Sequence, residues 1–577
     1  MDTVDVLIIG GGPTGLMLAL ELALQDVSFR ILDKALNRSD QSRALVVQPR
    51  SLELLNRHGI AKDLVAQGWK NTAVQVFVHK KEAINVNAES IGPKDSQFPA
   101  VLLISQAETE RFLEKTLKEK YGKAVEWSVT IDDLKEEQPG NDDIDCHAIT
   151  ATLHNDQGQT SQIHAKYVVG CDGSHSIVRH AAGLAFEGAP YPQDFILADT
   201  HLNFTSPQSQ PQSQSQSQPP PSITNLSICL GNSGFMAIFP LKDGLYRLIC
   251  IRPGPLSTNN NENNTSNNEN TDDKPPTLQD FQSALDNLAP VPATVHSPIW
   301  IARFRLHHRQ VNRYRCGRFF VAGDAAHIHS PAGGQGMNTG IQDAVNLAWK
   351  LGLVLHHRGP YPAERLLESY HSERWKVGRT VLNTTDRLFE TISSKSGLTI
   401  WIRNFVAVWI LPWVVWLLGR ERLRGRFRFI SQLGIRGGDR APDGKVKVVG
   451  RGGAEEDVFL LNLCRGKMHH LVLFLGDDEG VKKTGSTTNS GENENSEAFC
   501  EENKELVHVI RIIGPKGDDN EERNGEEEER YVDSEDTLRS RYGFQKEPGY
   551  VLIRPDGYIA HIGTMSAFEE LRTWFGK

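Results

Sequence analysis

Near the start of the chain, Gly10-Gly11-Gly12-Pro13-Thr14-Gly15 matches the spacing G-x-G-x-x-G, directly after an apolar strand-like run and directly before a helix-like one. In that context each glycine has a task. Gly10 permits a tight turn, Gly12 lets a pyrophosphate approach the backbone, and Gly15 lets helix and strand pack closely. The helix N-terminus then offers unpaired N–H groups and a positive dipole end to the phosphates. Asp33 closes the next strand, 18 residues after Gly15, at a reach suited to a ribose hydroxyl. Glycine turns also arise for steric reasons alone, so the strand, helix and terminal acid around the motif carry the dinucleotide reading.

Two further stretches have chemical potential. Val169-Gly170-Cys171-Asp172-Gly173-Ser174-His175-Ser176-Ile177-Val178-Arg179 places an Asp-Gly turn at a strand end, a commonplace arrangement by itself. Gly317 to His327 contains an apolar strand that delivers Asp324 at its C-terminal end, where ligands bind in open α/β sheets. The loop Pro331-Ala332-Gly333-Gly334-Gln335-Gly336-Met337-Asn338 follows. It leads into a helix whose apolar positions Ile341, Ala344, Val345, Ala348, Leu351 and Leu355 keep helical spacing. Such a start aims N–H groups at negative charge.

The elements needed to position these residues are legible around them. Strand Asp5–Gly10, a helix over about Gly15–Leu24 and strand Phe29–Asp33 make a βαβ opening. From Val74 to Phe304, short strand-like runs (Val74–Val78, Val101–Ile104, Gln162–Val169, Leu226–Leu230, Leu245–Ile251, Trp300–Phe304) predict a sheet-bearing region inserted into the first domain. Thr205–Ser222, Ser257–Pro276, Lys482–Asn503 and Asp518–Arg530 lack the apolar residues that offset ordering entropy and read as disordered loop expansions. A composition shift after Arg436 marks a terminal unit beginning near Gly437.

At 577 residues the chain has room for about two to four domains. Its net charge of −9 comes largely from Asp518–Arg530, where eight acids face Arg523 and Arg530. With no basic stripe carrying interleaved aromatics, nucleic-acid binding is not expected. Seven scattered cysteines without a CxxC pair argue for a reducing compartment and against structural zinc, so no metal is expected. The N-terminus runs straight into a strand, which makes a cytoplasmic enzyme the default expectation. Asn404–Gly419 is apolar but short for a bilayer span and interrupted by Pro412. A buried or dimer-facing helix is favoured there over a membrane-surface contact aided by Arg420, Arg422, Arg424, Arg426 and Arg428.

Taken in order and spacing, the G-x-G-x-x-G start, the D-G-x-x-S-x-V-R stretch and the G-R-x-x-x-A-G-D-A-A-H…P…G-G-Q-G-M-N stretch resemble the single-component FAD-dependent aromatic hydroxylases. Para-hydroxybenzoate hydroxylase typifies that family. The likeness covers about residues 4–385 and includes Tyr370-His371-Ser372-Glu373-Arg374. It implies an α/β fold: a Rossmann-like FAD-binding domain, an inserted β-sheet substrate domain and a C-terminal thioredoxin-like domain. The corresponding division is 1–73, 105–190 and 310–385 for FAD; 74–104 and 191–309 for substrate, with disordered insertions 205–222 and 257–276; a helical connector, 386–436; and 437–577 for the terminal domain.

By the same resemblance Asp33 contacts the adenosine ribose, Asp324 the ribityl chain, and Gly336, Met337 and Asn338 the isoalloxazine edge, while Gly10, Gly12 and Gly15 serve the pyrophosphate. Gln106 matches a glutamine that contacts FAD. Arg43, in Ser42-Arg43-Ala44, is a candidate contact to FAD and to the nicotinamide cofactor, and Asp172 and Arg179 match residues associated with both. The implied cycle is hydride transfer from NADPH or NADH to FAD, oxygen addition to give a flavin hydroperoxide, and transfer of one oxygen to an electron-rich ring. The ring is expected between Pro331–Gly336 and the inserted sheet. Some phenol hydroxylases of the family use an aspartate a few residues after the position of Arg43, but Ala44-Leu45-Val46-Val47-Gln48 holds no acid. Either the substrate arrives already activated, or another group such as Tyr246 or Arg247, on a substrate-sheet strand, helps to activate the phenol; packing or pairing is the plainer role for either.

The terminal unit, with strand Leu471–Leu475, a Pro555-Asp556-Gly557 hairpin and a helix over Ser566–Phe575, resembles the thioredoxin-like domain of the phenol hydroxylase branch. Lacking CxxC, it implies a structural or homodimer-related role. A flavin reductase or halogenase on the same fold, and a non-catalytic FAD-fold binding protein, are the rival readings; Trp413-Val414-Val415-Trp416 does not match the halogenase signature Trp-x-Trp-x-Ile. Phenolic or secondary metabolism is the expected setting.

Overall fold

The apolar run at the N-terminus forms strand Asp2–Ile9, buried over its second half because helices cover both faces of the parallel sheet it enters. A computed structural model shows this architecture. It describes residues 2–574 except 39–43, 71–72, 88–91, 138–145, 147, 206–221, 232–233, 252–274, 331–332, 359–361, 394–398, 401, 403, 405, 407–435, 450–454, 476–488, 515–529 and 546. The first sheet runs in the order Arg315–Cys316, Phe319–Val321, Thr160–Gly170, Asp2–Ile9, Phe29–Asp33, Glu126–Trp127. From Phe319–Val321 to Glu126–Trp127 its neighbours are parallel. Helix Pro13–Leu24, with proline in its first turn, packs against helices Gly336–Leu355 and Gln106–Tyr121. Gly336–Leu355 is buried almost all round, as its apolar composition demands.

The second sheet is built on two 19-residue antiparallel strands, Phe186–Phe204 and Ala293–Val311. Leu245–Ile251, Phe235–Pro240, Leu226–Leu230, Ala73–Val78 and Lys81–Asn87 extend it in that order. One face packs on helix Leu278–Leu288 through Phe281, Ala284 and Leu285. Two predicted strands lie elsewhere. Gln162–Val169 is part of Thr160–Gly170, beside Asp2–Ile9, and Leu102–Leu103 pairs with Val46–Val47 and Trp69–Lys70 in a small separate sheet.

The third sheet follows the order Glu455–Phe459, Lys445–Val449, Arg530–Val532, Val507–Ile513, His469–Phe474, Gly549–Ile553, Ile559–Thr564. Helix Asn489–Glu502 corrects the expectation of a disordered loop for that part of Lys482–Asn503, while 482–488 lie outside the described residues. Phe499, fully buried against Phe568, supplies the apolar anchor that the polar composition hid. Most of the other low-complexity residues, and 407–419 of the apolar segment, fall outside the described residues. Among the described residues no helix is long and apolar enough to cross a membrane, and no cluster of three or more potential ligands is placed to hold a metal.

Candidate active site

At the glycine turn, Gly10 has φ +110°, and a Cβ there would lie 2.3 Å from the Cys171 carbonyl oxygen. A Cβ on Gly15 would lie 1.9 Å from the Gly10 oxygen, whereas Gly12 has open space. Two glycines are thus required by packing and one faces an opening. The helix that begins there has no side-chain cap, which leaves its first N–H groups available to a phosphate. Asp33 accepts from the backbone N–H of Gly11 at 2.7 Å and of Ala35 at 2.8 Å. It therefore braces the turn as well as standing at the strand end.

The third motif closes on the first. A Cβ on Gly323 (φ +60°) would lie 2.5 Å from Thr14 Oγ1, and one on Gly340 would lie 2.3 Å from it. Asp324 is exposed at this turn and makes no hydrogen bond to another described residue. Asp343, fully buried, holds the turn from beneath: it accepts from Gly323 N (3.1 Å), His327 Nε2 (2.8 Å) and Arg374 Nε (2.6 Å). Burial alone would raise its pKa, but Arg374 and His327 outweigh burial and hold it below the usual carboxylate range. Sequence reasoning missed Asp343, although an acid on an otherwise apolar helix face was a signal that it had partners.

Asn338 is buried and locks the glycine loop to the strand Val46–Val47. Its Nδ2 donates to Val46 O (2.8 Å) and Gly334 O (2.7 Å), and its Oδ1 accepts from Gln48 N (2.8 Å). Gly333 and Gly334 both have positive φ, and a Cβ on Gly334 would meet Val46 at 2.6 Å. Gly336 opens the helix with no side-chain cap, and Met337 packs against the first core. Arg43 and Pro331 lie outside the described residues.

Gln106 Oε1 accepts from Ala44 N (3.2 Å) and its Nε2 donates to Glu110 Oε1 (2.8 Å). Burial pushes Glu110 up to about 6. The folded chain therefore holds its proton between about 4.5 and 6, and stability falls as pH rises through that window. Glu110→Gln in flavin-free protein is expected to stabilise at pH 8 by about 2 kcal/mol. Thermal denaturation at pH 5 and pH 8 checks this, with little difference between the two proteins expected at pH 5.

In the second motif, Asp172 Oδ2 accepts from Ile177 N at 2.8 Å. Its Oδ1 is buried with no hydrogen-bond partner among the described residues, and burial raises its pKa. Arg179 reaches across to the third motif, donating to Ala325 O (3.2 Å) and Ser174 O (2.8 Å), and lies 4.1 Å over the Phe186 ring. All three stretches therefore pack against one another.

The structure places Tyr246 and Arg247 on opposite faces of the second sheet. Adjacent strand residues point to opposite faces. Tyr246 packs on the helix side beside Phe204, away from the other face. Arg247, 1 % exposed, is held bidentately by Asp199 at 2.7 and 2.7 Å, and Trp300 Nε1 also donates to Asp199 at 2.8 Å. That other face carries Tyr191, Phe195 and Leu306, with half-buried Phe235, Ile249, Ile251 and Phe304 packed on them. Tyr191 donates to Asp386 of helix Ala363–Ser393 and lies beside His308 and Ser330. No sequence signal joined Tyr191 to Asp386, which are 195 residues apart.

A turn of this shape, an uncapped helix start and an exposed acid at a strand end fit FAD, and together they define a dinucleotide-binding flavoprotein. The profile of the FAD binding domain family matches residues 3–385. Rifampicin monooxygenase of Streptomyces venezuelae is 33 % identical over 395 residues, covering 68 % of this chain and 72 % of the relative. Pentachlorophenol 4-monooxygenase of Sphingobium chlorophenolicum is 28 % identical over 571 residues, covering 96 % and 93 %. The solved anhydrotetracycline hydroxylase of Streptomyces rimosus superposes with a TM-score of 0.66 at 25 % identity, covering 100 % and 99 %. The chain belongs to this FAD-binding family of aromatic-compound monooxygenases, FAD-dependent enzymes with NAD(P)H and O2 as co-substrates.

Proposed function

We propose that the enzyme hydroxylates a phenol-like ring held against the apolar face of the second sheet. The observation that carries this is the cluster Tyr191, Phe195, Phe235, Ile249, Ile251, Phe304 and Leu306, which adjoins Ser330 at the entry to the glycine loop. Such a face binds a flat apolar ring and excludes water. Gly10, Gly12, Gly15, Asp33, Gln106, Asp172, Arg179, Asp324, Gly336, Met337 and Asn338 are the residues assigned to FAD, and Arg43 and Pro331 keep their assignments by resemblance. When bound, FAD supplies the electron transfer from NAD(P)H and the activation of O2.

In this reading Tyr191 and Asp386 take the part left vacant by the missing acid near Leu45. Burial and the Asp386 carboxylate raise the Tyr191 pKa, so the hydroxyl stays protonated and donates. The substrate's O–H bond breaks as its proton passes to the Tyr191 oxygen and the proton of Tyr191 passes to Asp386. Asp386, half-buried on helix Ala363–Ser393, returns that proton to water. Tyr191→Phe is expected to lower the rate on phenols by about 10²-fold, with a smaller loss on substrates supplied as phenolates. The function as a whole is tested by NAD(P)H oxidation with and without O2 and by a product mass gain of one oxygen atom. Oxidation that ignores O2 sinks the reading.

The terminal sheet supports a thioredoxin-like unit over 437–577. Parallel strands His469–Phe474 and Val507–Ile513 flank helix Asn489–Glu502 in sequence, and antiparallel Gly549–Ile553 and Ile559–Thr564 precede helix Phe568–Trp574. The first two sheets likewise support the division of residues 1–385 into FAD-binding and substrate parts.

A further inference from the structure

The Pro555-Asp556-Gly557 turn of the terminal unit is seated on the helices that carry the flavin site. The Asp556 carboxylate is buried and accepts from Asn346 Nδ2 (3.0 Å), Trp349 Nε1 (3.2 Å) and Arg554 Nη2 (2.6 Å). Asn346 and Trp349 belong to helix Gly336–Leu355, whose first turn holds Asn338. The Asp556 carbonyl accepts from Arg50 Nη2 at 2.5 Å, and Arg50 lies 5.1 Å over the Tyr558 ring. Arg50 sits in helix Pro49–Asn56, two residues after Gln48, the residue whose N–H bonds Asn338. Arg554 meanwhile donates to both oxygens of Glu373 at 3.0 Å, one residue from the Arg374 that holds Asp343.

A second contact repeats the pattern. Arg440 of the terminal unit binds Glu53 of helix Pro49–Asn56 and Asp95, the latter at 2.8 Å. Buried ionic contacts of this kind add little net stability over apolar packing, and their best-supported use is to hold one geometry. Here three helices around one prospective flavin edge are fastened to a single hairpin turn.

We propose that the terminal unit sets the geometry of the flavin site, with Asp556 as a positioning residue that fixes helix Gly336–Leu355 relative to helix Pro49–Asn56. This rests on the placement of FAD against Asn338. Disturbing the turn then changes how flavin is held, beyond any change in overall stability.

The test uses the full-length protein and four variants: Asp556→Ala, Trp349→Phe, their combination, and Val551→Ala, which lies in the terminal core away from both helices. FAD affinity is read by flavin fluorescence, with the visible spectrum and reduction potential of the bound flavin and the melting temperature alongside. Asp556→Ala is expected to weaken FAD by about tenfold, within the ordinary range for coupled sites, and to shift spectrum and potential. Trp349→Phe, which removes one N–H, shifts them the same way by less, and the combination falls short of the sum. Val551→Ala lowers the melting temperature while FAD affinity stays within about twofold. If Asp556→Ala does not fold, Trp349→Phe against Val551→Ala decides by the same comparison. Flavin properties unchanged in the turn variants, or changed equally by Val551→Ala, overturn the proposal. A parent protein that takes up no FAD overturns the flavin reading itself, a result distinct from a parent that binds FAD and is matched by its turn variants.

Discussion

Asp324→Ala yields a colourless protein: purified beside the parent, it retains little FAD, and flavin fluorescence titration shows affinity reduced by about 10- to 150-fold, the range for losing hydrogen bonds to a charged acceptor. The magnitude follows from the position. Asp324 is exposed at the end of a parallel strand, without a hydrogen bond to another described residue, so its removal leaves no buried partner stranded. The melting temperature of the flavin-free protein should stay near that of the parent. Equal FAD occupancy in variant and parent would remove Asp324 from the site.

Asp343→Ala should fail in the opposite way, by destabilising the protein with or without flavin. Three donors converge on this fully buried carboxylate, and its loss strands the Arg374 guanidinium in the core. Breaking a buried pair by removing one partner costs about 3–5 kcal/mol, or roughly 10 °C in melting temperature for a domain of this size. Replacing Asp343 and Arg374 together should cost less than the sum of the single changes. The pH dependence has a defined sign. The Asp343 pKa is lowered in the fold, so its contribution is complete above the unfolded value of 3.8 and is lost as pH falls below it. Thermal scans of parent and variant should converge in acid.

How legible each part was depended on how far apart its residues lie. The glycine turn and Asp33 belong to one strand–helix–strand unit, where spacing and steric need are local. For Tyr246 and Arg247, alternation along the strand sends the two neighbours to opposite faces, a rule legible in the sequence, but what each face packs against was not. Helix Leu278–Leu288 covers the Tyr246 side and leaves the other face to the cluster around Tyr191 and Phe195. Helix Asn489–Glu502 was hidden because one aromatic, Phe499, anchors an otherwise polar segment, and that anchor works only against Phe568.

By itself the sequence determined the cofactor class, the order of the motifs and the absence of a redox CxxC, since each depends on residue type and short-range spacing. Tertiary structure alone decided that Tyr191 meets Asp386, that Arg247 is held by Asp199, and that the terminal turn reaches Asn346 and Trp349. Those pairings join residues tens to hundreds apart in the chain. Charged and polar side chains commit to partners only when burial removes water as the competing partner, and burial is a property of the packed fold.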